Sequence, residues 1–336
     1  MKSITTFGAT LALALPVLAG GPTASLQQST LSPNQIDFFD LGVLALDEVA
    51  FGITTPLASV PPVDFDAPDT ELATYLTDDL GIPEFRDTFF TINDDSDADN
   101  NLGEDSLGSL FRIQPIFAES HTAAVGGFGS LGPGSDGTHG ESGDYLFTSA
   151  TVRPADGVDQ AIADLDGPSG NGSLMNAAPL SVPANGAVAS INTLAGAGGD
   201  LDYYRIDLVA GEVLTLMTAP LGNLSDDFDA PDTLITVFDG AGDFLFDDDD
   251  AGGDFSDFAP NIGFSSEAFG SAMHLYAEAD ATYFIAISGF VPDGVSFDQH
   301  SESGDYAVVA SRFLVPAPGA SVVFGFACSL MLRRRR

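Results

Sequence analysis

Basic residues are scarce in this chain, and their scarcity excludes more than any motif does. Lysine occurs once, as Lys2, and Arg333, Arg334, Arg335 and Arg336 close the sequence. Between them stand only Arg86, Arg112, Arg153, Arg205 and Arg312, against all 49 acidic residues, which lie from Asp37 to Asp305. The body of the chain therefore carries five cations against 49 anions, a formal charge of −44. Phosphate backbones are held by clustered Lys and Arg, so nucleic acid is excluded as a partner, and so is adhesion of the body to anionic lipid. Cysteine is as informative. The single one, Cys328, lies near the C-terminus, so the body has neither disulfide nor thiol chemistry. With four histidines and no cysteine there, a zinc centre is not expected. Tryptophan is absent, and the 26 phenylalanines read mostly as core. No Gly-x-Ser-x-Gly elbow and no His-Glu-x-x-His helix occurs. Long apolar runs are missing too. The longest, Ala320 to Leu332, has 13 residues, and a spanning helix needs about 20.

The two ends read as addresses rather than fold. Met1-Lys2, an Ala-rich apolar stretch from Phe7 to Leu18 and the small residues around Ala19 form an export signal, with residues 1–19 removed by a signal peptidase. At the other end, Pro316-Ala317-Pro318 precedes the apolar run and the four arginines. The arginines stay cytoplasmic by the positive-inside rule. This tail, 314–336, resembles the PEP-CTERM sorting signal of exported bacterial proteins, with Ala317 where that family carries Glu. The resemblance implies Pro316, Pro318 and Arg333 to Arg336 as the recognised residues and an exosortase-like enzyme as processing partner. It also implies a cell-surface or matrix location in a producer of exopolysaccharide, with the tail as the only membrane contact. An ordinary C-terminal anchor is the competing reading.

The body is a duplication. Asp64-Phe65-Asp66-Ala67-Pro68-Asp69-Thr70 recurs unchanged at Asp227 to Thr233. Further matches follow in the same order: Asp37-Phe38-Phe39 with Asp202-Tyr203-Tyr204, Gly127-Phe128 with Gly289-Phe290, and Glu141 to Tyr145 with Glu302 to Tyr306. Collinear matches at a nearly constant offset mark two copies of one domain. In the second copy, Ile206-Asp207-Leu208, Val213 to Met217, Leu234 to Phe238, Tyr283 to Ile287 and Tyr306 to Val309 are short β-branched and aromatic runs between Gly-Asp and Asp-Gly turns. No segment carries a helical period. We therefore expect an all-β fold of two tandem sandwiches, over 34–153 and 171–313, with a linker at 154–170. The first copy lacks a match to the lead-in at Asn176 to Leu180 and is expected to be incomplete.

The second copy resembles the bacterial pre-peptidase C-terminal (PPC) domain at Gly199 to Ile206, Pro231 to Asp239, Asp247 to Gly253, Tyr283 to Gly289 and Gly304-Asp305-Tyr306. The resemblance implies a jelly-roll-like sandwich that is a non-catalytic appendage, with Ca²⁺ or biopolymers as ligands in some members. It points to Asp200 and Asp202, with Asp164 and Asp166 in the lead-in, as Ca²⁺ ligands.

Two acidic runs point to the same ion from the residues alone. Asn93 to Asn101 places oxygen side chains at alternate positions, among them Asp95, Asp97, Asp99 and Asn101, and Ca²⁺ takes six to eight oxygens. Asp247 to Asp250 with Asp254 is the analogue in the second copy; Asp248, Asp250 and Asp254 are its candidate ligands. Adjacent like charges repel, and a cation relieves them. The alternative is a solvated acidic surface suited to salt water. The heptad acids Asp66, Asp69, Asp229 and Asp232 are read as turn-formers. His139-Gly140-Glu141-Ser142-Gly143 and its partner at His300 are read as turns into a last strand, not as catalytic groups. The expected function is a non-enzymatic, exported surface or matrix protein stabilised by Ca²⁺. A module that binds polysaccharide or protein is the alternative, and a hydrolase a distant third.

Overall fold

The computed structural model describes residues 22–46, 48–57, 67–77, 89–93, 99–100, 108–113, 118–131, 137–153, 171–194, 200–221, 231–249, 270–290 and 300–315. Its first half contributes β1 (Thr23–Leu31), β2 (Asp37–Leu44), β3 (Val49–Leu57), β4 (Thr70–Leu76), β5 (Phe89–Asn93), β6 (Asp99–Asn100), β7 (Leu110–Ile113), β8 (Glu119–Gly127) and β9 (Gly143–Val152). After a 3₁₀ turn at Leu174–Asn176 the second half contributes β10 (Ala178–Pro179), β11 (Gly186–Leu194), β12 (Asp202–Leu208), β13 (Glu212–Pro220), β14 (Thr233–Asp239), β15 (Phe244–Asp248), β16 (Ala272–Tyr276), β17 (Ala281–Gly289) and β18 (Gly304–Leu314). The described residues contain no α-helix, as the missing helical period requires.

Each copy makes two sheets. In the first they run β1-β9-β3-β7 and β2-β8-β4-β5; in the second β11-β18-β13-β16 and β12-β17-β14-β15, with β10 added beside β12. Strand for strand the order is the same. The irregularities are the same as well: β5 shifts register against β4 between Thr74 and Tyr75, as β15 does against β14 between Val237 and Phe238. The first copy therefore has every strand of the eight. What it lacks among the described residues is a counterpart of the 3₁₀ turn and β10. β1 lies ahead of residue 34, where the repeat alone would start the first domain, and pairs along its whole length with β9. β18 likewise runs to Leu314, the first residue of the expected tail, so that residue belongs to the sheet.

Within each copy the two sheets enclose a core. Phe39, Leu72, Phe111, Val125 and Phe147 fill the first. Tyr204, Leu216, Ile235, Ile285 and Val308 belong to the second. Gly52 makes room for the first: a Cβ there would lie 2.3 Å from the Phe111 ring. Residues Leu234, Val237, Ile285 and Ile287 are buried as expected. They do not share a face, however. Side chains alternate along a strand, so Val237 enters the sandwich while Leu234, three positions away, lies on the outer side.

A further apolar layer joins the copies. Val49, Phe51 and Ile53 of β3 pack with Met217 and Ala219 of β13 and with Val309 of β18. The sheets β1-β9-β3-β7 and β11-β18-β13-β16 thus lie face to face, and the molecule is four sheets deep. β3 and β13 are buried at every residue for this reason; a sheet covered on both faces has no side for water. The two heptads end in β4 and β14, which lie in different sheets.

Candidate cation-binding edge

The His and Glu of the motif read as a turn into the last strand make the same contacts to backbone in both copies. Glu141 Oε2 accepts the Asp69 N–H at 3.3 Å, and Glu302 Oε2 accepts that of Asp232 at 3.3 Å. A His139 ring nitrogen, Nε2, lies 2.7 Å from the Gln35 carbonyl, and His300 Nε2 lies 2.6 Å from that of Asp200. A carbonyl accepts only, so Nε2 carries the proton in both rings. Gly127 and Gly289 sit under these groups; a Cβ on Gly289 would lie 2.4 Å from Glu302 Cβ and 2.5 Å from His300 Nδ1. Four residues after each Glu, Tyr145 donates to Asp37 Oδ2 and Tyr306 to Asp202 Oδ2, both at 2.7 Å. The heptads serve the same corner. Thr70 and Thr233 meet Thr54 and Thr218 at 2.7 Å, and Ser109 and Ser271 donate to the carbonyls of Thr70 and Thr233. The His and Glu of the motif, and Ser109 and Ser271 from another part of each copy, each hold backbone.

The arginines are spent in the same way. Glu212 accepts both Arg312 Nε, at 2.8 Å, and Nη2, at 2.6 Å, as well as the Val209 N–H. Glu48 accepts Arg153 Nη2 at 2.7 Å and the Ala45 N–H in the same place of the first copy. Burial works against the Glu212 charge, but the hydrogen bonds from Arg312 and Val209 and the arginine's charge hold it below the ordinary carboxylate range.

The candidate ligands divide into two groups. Asp95, Asp97, Asn101, Asp164, Asp166, Asp250 and Asp254 lie outside the described residues, as do Pro316, Pro318 and Arg333 to Arg336 and the heptad acids Asp66 and Asp229. Four are placed. Asp202 is buried against Tyr306. Asp200 lends its carbonyl to His300. Asp248, also buried, accepts the Ala272 N–H through Oδ2 at 2.7 Å. Asp99 lies in β6, and β6 is the surprise: it leaves the first copy and pairs in parallel with β16, Asp99 beside Met273 and Asn100 beside His274.

The acidic run of one copy therefore reaches the acidic turn of the other. β16 is the joint, with β6 on its edge and Asp248 on its first N–H. Asp247 there is raised above the usual carboxylate range by burial, and by the neighbouring charge of Asp249. Among the described residues no three His, Cys, Asp or Glu side chains converge as a metal set. Sequence reasoning found both runs but not their meeting, because a two-residue parallel bridge leaves no pattern in a sequence.

Aromatic residues on the outer face of β12-β17-β14-β15 form a closed group. Tyr203 and Phe238 are 6.2 Å apart and tilted, and Phe244 meets Phe238 edge-on at 6.5 Å. Leu174 and Ala177 pack against this group. Only Phe244, 58% exposed, is open to solvent among these three rings.

No family model matches the chain. No curated protein matches it either. Among solved structures it is similar to the PBSX exported protein XepA, at 9% identity over 89% of each chain with a TM-score of 0.26. It is also similar to the tandem CBM22-1–CBM22-2 domains of Paenibacillus barcinonensis Xyn10C, at 11% identity over 90% of this chain and 93% of that one, TM-score 0.24. A third is the plant receptor-like kinase ANX2, at 4% identity over 86% and 87%, TM-score 0.24. Likenesses this loose carry no weight for function.

Proposed function

We propose that this is an exported, non-enzymatic surface or matrix protein whose paired sandwiches are stabilised by Ca²⁺ at the acidic edge around β16. The observation that carries the reading is that β16 has Asp99–Asn100 of the first copy paired along its edge and Asp248 of the second on its first N–H. Acidic segments from distant parts of a chain that are carried to one sheet edge are stabilised by a hard cation with oxygen ligands. Removing the repeated His-x-Glu-Ser-Gly motif from consideration as catalytic machinery supports the non-enzymatic part. The strand order, first-eighth-third-sixth against second-seventh-fourth-fifth, is read as a jelly roll.

A thermal melt tests the cation. A ligand that binds only the folded chain adds about 2.7 kcal/mol at 100 times its Kd. Millimolar Ca²⁺ is expected to raise Tm beyond NaCl of equal ionic strength, and Asp247→Asn with Asp249→Asn to reduce that increment. Equal effects of the two salts would leave the acids as solubilising surface only.

Export by the N-terminal segment and exosortase-like processing at Pro316-Ala317-Pro318 complete the reading. Mass spectrometry of the mature surface protein is expected to recover no peptide from Phe324 to Leu332; an intact C-terminus would mean a permanent anchor. A second reading, a module that binds polysaccharide, rests on exposed Phe244. It predicts that Phe244→Ala weakens retention on the producer's exopolysaccharide.

A further inference from the structure

The face that joins the two copies has the internal symmetry of a dimer. The repeated turns at Glu48 and Glu212 align β3 with β13, and Tyr145 and Tyr306 align β9 with β18. Phe51 then corresponds to Thr215, Thr55 to Ala219, Thr148 to Val309 and Ala150 to Ser311. About a two-fold axis, every contact between the copies has an image with the roles exchanged. Thr55 meets Thr215 at 2.7 Å; the image pair, Ala219 and Phe51, lies in the seam cluster. Thr148 donates to Ser311 at 2.7 Å; the image pair, Val309 and Ala150, lies there too.

The apolar flank repeats the pattern. Leu57 and Leu146 of the first copy pack with Val213 and Phe313 of the second. Their images, Leu221 and Ala307 with Val49 and Val152, again belong to the seam cluster. The corresponding carbonyls of Pro56 and Pro220 are each capped from across the seam, Pro56 by the Tyr276 hydroxyl at 3.0 Å and Pro220 by Arg112 Nη2 at 2.9 Å. A head-to-tail contact would join different positions in the two directions. The contacts between β3 and β13 and between β9 and β18 join the same ones; only the two capping donors, Arg112 and Tyr276, stand at different positions of β7 and β16.

We propose that this face is self-complementary, and that the second sandwich, parted from the first, pairs with another copy of itself through it. The chain is then a homodimer fused by duplication. Chemistry favours the second sandwich over the first as the self-pairing one. Two second sandwiches would present a Tyr276 hydroxyl to each Pro220 carbonyl. Two first sandwiches would instead bury two Arg112 guanidiniums at the seam, one on each Pro56 carbonyl, and taking a charge out of water is costly.

The full chain tests this when a protease site is inserted within 154–170 and cut after folding. The two halves are expected to stay together at micromolar concentration by native mass spectrometry. With a tagged first half held on a column, the second, released by dilution far below micromolar and then concentrated again, is expected to run at twice its own mass with its strand circular dichroism intact. A folded monomer would overturn the proposal. So would loss of the strand signal, because a self-complementary face supplies the burial that the first half provided. Tyr276→Phe adds a test of the geometry. It removes one hydrogen bond from the pair of unlike halves and two from the pair of second halves, so affinity should fall about fivefold and about 25-fold respectively. An equal loss in both would refute the two-fold arrangement.

Discussion

The hydroxyl of Tyr306 donates to Oδ2 of Asp202 across 2.7 Å, and neither residue reaches solvent. Asp202 is the acid that the PPC resemblance offers to Ca²⁺, yet its described partner is a phenol. Tyr306→Phe should cost about 2 kcal/mol, the worth of a hydrogen bond to a charged group. Urea unfolding with Ca²⁺ and with chelator should give the same loss. A loss that appears only in Ca²⁺ would return Asp202 to the ligand set.

Arg312→Met should cost about 3 kcal/mol, because it leaves Glu212, 4% exposed, without its bidentate cation. The pH dependence should change with it. The folded-state pKa of Glu212 is depressed, so its contribution is present above the ordinary carboxylate value and lost as pH falls through the depressed one. The variant should lose that component of the acid transition, measured by unfolding at several pH values.

His274 works in the same pH direction from the opposite charge. It is fully buried at the seam, Nδ1 lies 3.1 Å from Thr215 Oγ1, and Nε2 finds no hydrogen-bond partner among the described residues. Burial lowers its pKa from 6.5 to about 3. Its neutral form is favoured by folding, so stability is complete above about pH 6.5 and drains away as pH falls toward 3, by up to about 5 kcal/mol. His274→Phe should flatten stability between pH 6 and about 4 relative to the parent. An unchanged slope would assign the acid sensitivity to carboxylates alone.

Gly289→Ala should cost about 2 kcal/mol. The new methyl would meet His300 and Glu302, which are tied to Asp200 and Asp232 and have little room to move. Gly127→Ala should behave alike, since His139 and Glu141 stand in the same places. A Tm shift in one copy only would show that the two corners are not equivalent in rigidity.

Limited proteolysis should cut first between Val152 and Asn171, where Gly, Pro and Ser accumulate. The products should co-elute on size exclusion rather than separate, because the cut leaves the apolar seam intact. Separate elution would mean that the seam adds little to the affinity of the halves.

Much of this architecture was legible in the residues. The repeat announced two copies of one sheet order, because Glu141 to Tyr145 and Glu302 to Tyr306 perform the same corner bonds and tolerate little change. The short runs from Ile206 to Val309 all fall inside strands. Boundaries were less legible. Thr23–Leu31 went unseen because its exposed and half-buried residues at a sheet edge match nothing in the second copy by sequence. Leu314 read as tail because apolar strand and apolar tail have the same composition.

The sequence by itself determined the all-β class, the duplication and the charge, since each is a property of composition or local period. Tertiary structure decided the rest. It turned one face of each copy against the other, so that β3 and β13 lost their wet side. It carried Asp99–Asn100 out of the first copy to the edge of β16, beside the Asp248 turn. It assigned Asp202 to a tyrosine. These are choices among faces and edges more than 100 residues apart, and a strand's local pattern is the same whichever partner covers it.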